Sequence, residues 1–109
     1  MAQFETTINN TQKILATVVL TDPVGNDVPV QSLAISATGD GTFSKLANDG
    51  TDLPPNMFYC ISGSTVSDTT YSVDAMWSLT LPPINSLVIM HVTEGTPSAT
   101  VNFGTPEPK

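Results

Sequence analysis

His91 is the only histidine in this chain and Cys60 the only cysteine, so imidazole and thiol chemistry each have a single seat. A hydrolytic triad needs a nucleophile on one imidazole nitrogen and a carboxylate behind the other. His91 instead lies mid-strand in Leu87-Val88-Ile89-Met90-His91-Val92, and no G-x-S-x-G elbow is present. Ser62-Gly63-Ser64 reads as a turn, and His91 as a structural strand residue. Cys60, inside Met57-Phe58-Tyr59-Cys60-Ile61, reads as a small buried apolar residue, because a reactive thiol needs a neighbouring base or cation. One Cys and one His fall short of a zinc tetrad.

Calcium is the stronger metal candidate. Asp22, Asp27, Asp40, Asn48-Asp49-Gly50-Thr51-Asp52 and Asp68 all fall at the ends of predicted strands, where oxygen ligands can converge. The competing reading is an Asx turn in each loop separately. The Asn48–Asp52 stretch also has no glutamate at the twelfth position of an EF-hand loop. Asp74 is the one acid in the middle of a confident strand, with solvent-facing placement expected. Of Phe58 and Tyr59, alternation turns one outward, where a ring can stack on a sugar. These residues predict no catalytic, metal or cofactor site, and no cofactor.

The charge balance narrows the partners. Three Lys and no Arg stand against ten acidic residues, for a net charge of −7. Such a chain has no electrostatic footprint for a phosphate backbone or an anionic membrane. At 39% apolar and 12% charged, it is too apolar for a disordered acidic tail. A lone cysteine forms no internal disulfide, so the fold must rest on its apolar core. Met1-Ala2-Gln3-Phe4-Glu5 has neither the basic nor the apolar region of a signal peptide. No apolar run approaches the ~18 residues of a membrane-spanning helix. The expectation is synthesis in a bacterial host cytoplasm without a signal peptide.

The elements that must position these residues follow a period of two. The first strand is predicted over Lys13–Thr21, with Ile14, Ala16, Val18 and Leu20 on one face and Leu15, Thr17 and Val19 on the other. Asp22–Asp27 is turn chemistry, and Val28-Pro29-Val30 is extended at an edge. Leu33–Thr38 and Thr42–Leu46 flank Gly39-Asp40-Gly41 and read as a hairpin. Further strands are predicted over Phe58–Ser62, Thr70–Leu79, Ser86–Thr93 and Ser98–Phe103. Tyr71, Val73, Ala75, Trp77 and Leu79 share a face, which puts Trp77 at the centre of the core. About seven strands without a helix imply an all-β antiparallel sandwich.

In this order the chain resembles bacterial immunoglobulin-like (Big-type) domains, in particular small single-domain versions from bacterial and phage genomes. Thr11-Gln12-Lys13-Ile14, the Asp22–Asp27 turn with Val28-Pro29-Val30, Gly39-Asp40-Gly41, Tyr71-Ser72-Val73-Asp74-Ala75 and Phe103–Lys109 carry the resemblance, from about residue 3 to the end. The resemblance implies an N-terminal arm or edge strand over 1–10, an immunoglobulin-like domain over 11–103 and a proline-containing tail over 104–109. It implies a structural or binding module without catalysis, and no site residues. Departures are the single Cys and Leu81-Pro82-Pro83-Ile84 in place of a Gly- and acid-rich loop. The expected function is that of a virion-associated bacteriophage protein decorating the capsid, with the arm, strand edges and tail as contact elements and other virion proteins as partners. The alternative is a module binding carbohydrate or cell-surface glycans.

Overall fold

Alternation of apolar and polar residues sets one face of each strand against a shared interior. The computed structural model describes residues 2–95 and 99–109. Within them lie β1 (Ala2–Asn9), β2 (Lys13–Thr17), β3 (Leu20–Thr21), β4 (Asp27–Val28), β5 (Ser32–Thr38), β6 (Thr42–Ser44), β7 (Met57–Ile61), β8 (Thr69–Met76) and β9 (Ile84–Thr93). No helix occurs among the described residues, and the chain is all-β. One sheet has the order β1-β9-β8-β5, a second β2-β7-β6, and β3 and β4 form a short ribbon. All pairings are antiparallel except β1 with β9, which is parallel.

The two larger sheets share one apolar core. Tyr71, Val73 and Ala75 of β8 and Met90 and Val92 of β9 face Phe58 and Cys60 of β7, all buried. Phe58 and Tyr71 meet across the sheets with ring centroids 6.2 Å apart, tilted at 59°, a distance at which aromatic pairs attract. Ile14, Ala16, Val18 and Leu20 pack on this core from the expected face of the first strand.

Trp77 corrects the expected core centre. The β8 pairing ends at Met76, the indole is half-buried beyond it, and its Nε1 donates to the Pro82 carbonyl at 3.2 Å. Leu79, expected on the same inward face, is 94% exposed. The alternation is unbroken through Leu79, but a residue faces the core only while its strand stays in the sheet. The Pro82-Pro83 crossing takes the chain out of it first. Trp77→Ala is therefore expected to cost about 1 kcal/mol in urea denaturation, well under the ~3–5 of a buried aromatic.

Three further expectations change. The run Lys13–Thr21 breaks at Val18 and Val19, because Asn56 takes over the backbone of Val18: Val18 N donates to Asn56 O at 2.7 Å and Asn56 Nδ2 to Val18 O at 3.2 Å. Leu33–Thr38 and the strand after Gly39-Asp40-Gly41 are not a hairpin, since β5 pairs with β8 and β6 with β7. Those glycines carry the chain from one sheet to the other. Gly39 has φ of 127°, and a Cβ there would stand 2.8 Å from the Asp68 carbonyl. Finally, Ala99–Phe103 forms no strand and is exposed throughout, while Ser98 lies outside the described residues. With this segment unpacked, the longest dimension reaches 81 Å against 27 and 25 Å for the others.

Candidate functional site

The side chains with chemistry do not converge on a cleft. His91 points outward from β9 between two carboxylates: Nε2 lies 3.0 Å from Glu5 Oε1, and Nδ1 lies 3.0 Å from Asp68 Oδ1. Register accounts for this arrangement. His91 stands beside Thr7 in the parallel pair, so Glu5 is the next outward residue along β1. Asp68 immediately precedes Thr69, which pairs with Met90, and so stands opposite His91. Both nitrogens are engaged by carboxylates, which leaves none for activating a hydroxyl. Hydrogen bonds donated to the Glu5 and then the Asp68 carboxylate raise the His91 pKa above its ordinary value.

The sign of that shift gives a pH dependence. With the folded value raised, the stabilisation from this ladder is complete below the unfolded value of about 6.5 and disappears as pH rises through the folded value. Exposure and salt keep the effect small. An NMR titration of the imidazole is expected to show a midpoint above 6.5 that falls toward it in Glu5→Gln; a midpoint at or below 6.5 in the parent protein contradicts the ladder.

The loop carboxylates bond within or between neighbouring loops. Asp22 Oδ1 accepts from the backbone N–H groups of Val24 and Asn26 at 3.0 and 2.9 Å. Asp49 Oδ1 accepts from Thr51 N and Oγ1 at 3.0 and 2.6 Å, and the hydroxyl and amide of Thr51 lower its pKa. Asp40 Oδ2 accepts from Thr65 N and Oγ1 at 3.1 and 2.8 Å, and the amide and then the hydroxyl of Thr65 lower its pKa. Among the described residues, no three His, Cys, Asp or Glu side chains gather as a metal site. Tyr59 is the outward member of the Phe58–Tyr59 pair, and the Lys13 ammonium lies 4.1 Å from its ring centroid. Asp74 sits on the outward face of β8, where its Oδ1 accepts from Asn85 Nδ2 at 2.6 Å.

An apolar concavity lies at an open flank. β1 is the last strand of one sheet and β2 the last of the other, joined through Asn10-Thr11-Gln12. Between them runs a groove of about 350 Å³, at the small end of ligand-sized cavities. Phe4 and Thr6 form one wall, Ile14, Ala16 and Val18 the other, and Phe58, Cys60 and Val73 the floor. The space remains because Thr6, Ala16 and Ser86 are too small to fill it. Phe4 is 57% exposed at the mouth. Nothing in the linear pattern marks this groove, since it arises where edges of two different sheets diverge.

Cys60 lies in its floor, buried, with its thiol pKa pushed up to about 11 by desolvation. The native protein is therefore expected to react with Ellman's reagent only at its unfolding rate, with one equivalent of thiol appearing in denaturant. Immediate modification of the native state would show that the groove admits reagent to the sulfur.

Comparison with protein-family models, with curated proteins and with solved structures returned no match to this chain.

Proposed function

We propose that this chain is a non-catalytic, immunoglobulin-like binding module that decorates a bacteriophage capsid by docking on the larger assembly. Strand order supports the immunoglobulin-like part. In that fold one sheet carries the third, sixth and seventh principal strands and the other the first, second, fourth and fifth. Here β5, β8 and β9 lie together, and β2, β6 and β7 lie together, once the β3–β4 ribbon is read as an embellished loop; β1 departs from the pattern, pairing in parallel with β9 instead of joining the sheet of β2.

The observation that carries the docking reading is the open flank: two strand edges, unpaired among the described residues, beside an apolar groove. An edge strand presents unpaired N–H and C=O groups that bind another extended segment, and adjacent pockets supply specificity. After Lys13 at its start, β2 continues as Ile14-Leu15-Ala16-Thr17 with no charge or proline to blunt that edge. The virion part rests on the sequence resemblance to phage-encoded modules.

Mass spectrometry of purified particles tests the proposal. The chain is expected as a stoichiometric component, and the F4D/L15D variant, altered at two exposed positions, is expected to fold and be missing from particles. Particles without the parent chain would remove the virion assignment. Normal incorporation of the variant would remove the flank as the contact.

A further inference from the structure

We infer that the groove between β1 and β2 is a receptor for the Ala99–Phe103 segment of a second copy of this chain, which enters as an added strand on the free edge of β2. The inference concerns contacts between copies and stands independently of whether the larger assembly is a virion.

The two halves of this contact are both unpartnered. Ala99, Val101 and Phe103 alternate with Thr100 and Asn102, the pattern of a strand with one apolar face. Yet Val101 is 72% exposed and Phe103 92% exposed. The receptor has the reverse character, with Ile14 and Ala16 of edge strand β2 and Val18 just past its end lining an unfilled apolar space. In a strand laid along β2, inward side chains at every second position meet Ile14 and Ala16 on the edge and Val18 just beyond it.

Exposure selects the second copy over the segment's own body, since Val101 and Phe103 stand in solvent and neither lines its own groove. The longest strand has ten residues and spans roughly 33 Å, while the molecule measures 81 Å along the same kind of dimension. Its radius of gyration is 19.9 Å, against about 13 Å for a compact chain of ~100 residues. Gly95, whose N–H donates to Asn10 Oδ1 at 3.0 Å, is the last described residue tied to the body before the segment. A segment held off its own molecule reaches a neighbour's groove without folding back. Pro106 and Pro108, with no N–H to donate, limit the added strand to residues before them.

The contact is heterologous, a segment of one copy on a groove of the next, so it propagates into open chains or closes into rings. Its occupant is small, which predicts reversible association rather than an obligate dimer.

The test uses the full chain with Cys60→Ser as background, Ala16→Cys in the groove and Val101→Cys in the segment, under mild oxidation. Disulfide-linked dimers and higher species are expected. A cross-link confined to single chains would show that the segment closes on its own body, and no cross-link would show that it does not enter; either overturns the proposal. Sedimentation equilibrium gives a second reading that does not depend on the groove substitution. The average mass of the parent chain is expected to rise with concentration, while V101D/F103D stays at 11.5 kDa with an unchanged Tm in dilute solution. A parent chain monomeric at every concentration, or a variant that associates equally, contradicts it.

Discussion

Replacing Phe58 with Ala is expected to remove about 3 kcal/mol of stability, read as a lower urea midpoint at unchanged slope. Phe58 is fully buried, stands on β7 at the junction of the sheets, and packs its ring on Tyr71. Truncating a buried Phe costs about 3–5 kcal/mol. The lower end applies here because the new cavity would open into the groove whose floor Phe58 forms, so the neighbours can relax into it. Against a total of ~5–15 kcal/mol for a domain, that loss can leave a large unfolded fraction. Phe58→Leu, which keeps most of the volume, is expected to recover at least half. If Phe58→Ala loses no more than Trp77→Ala, the core is not centred between β7 and β8.

The second large effect is expected at Gly41, in the crossing from β5 to β6. Gly41 is buried, and a Cβ there would stand 2.8 Å from Thr69 Oγ1, 2.9 Å from the Tyr71 hydroxyl and 3.0 Å from the Ile61 carbonyl. Two of those atoms already have work: Thr69 Oγ1 accepts from Gly41 N–H at 2.9 Å, and the Tyr71 hydroxyl donates to the Thr42 carbonyl at 2.7 Å. Burial, with Cys60 nearby, pushes the Tyr71 pKa up to about 12, so the hydroxyl remains a neutral donor. Gly41→Val must displace these groups and leaves buried polar atoms unpaired. Overpacking costs about 1–3 kcal/mol and an unsatisfied buried group about 1–3 more, so a loss of about 3 kcal/mol is expected in the same denaturation assay. Gly104→Ala is the control, since a Cβ there meets open space, and a change within about 0.5 kcal/mol is expected. Equal, small effects at both glycines would mean that the crossing yields without cost.

The strand pattern was legible wherever a strand stays in its sheet for its whole length. Tyr71, Val73 and Ala75 face inward as alternation requires, and so do Met90 and Val92, and Ile14 and Ala16 of β2. Trp77 and Leu79 keep the same alternation but lie past the end of the ladder, a boundary that alternation does not encode. Ala99–Phe103 shows the same limit from the other side, as a strand pattern that pairs with no strand among the described residues. The β5–β6 crossing escaped detection because Gly39-Asp40-Gly41 suits a tight hairpin and a sheet-to-sheet corner equally; only the pairing of β5 with β8 separates them. The Glu5–His91–Asp68 ladder needed the parallel register of β1 on β9, which joins residues 86 positions apart.

By itself, the order of residue types determined that this protein is all-β, holds a single unlinked cysteine and carries an excess of negative charge. Each of these follows from side-chain period or from counting, which act locally or sum over the chain. Tertiary structure alone decided which aromatic sits at the centre, which strands became edges and where apolar space was left between them. Those properties depend on contacts between residues far apart in the chain, and no local preference specifies them.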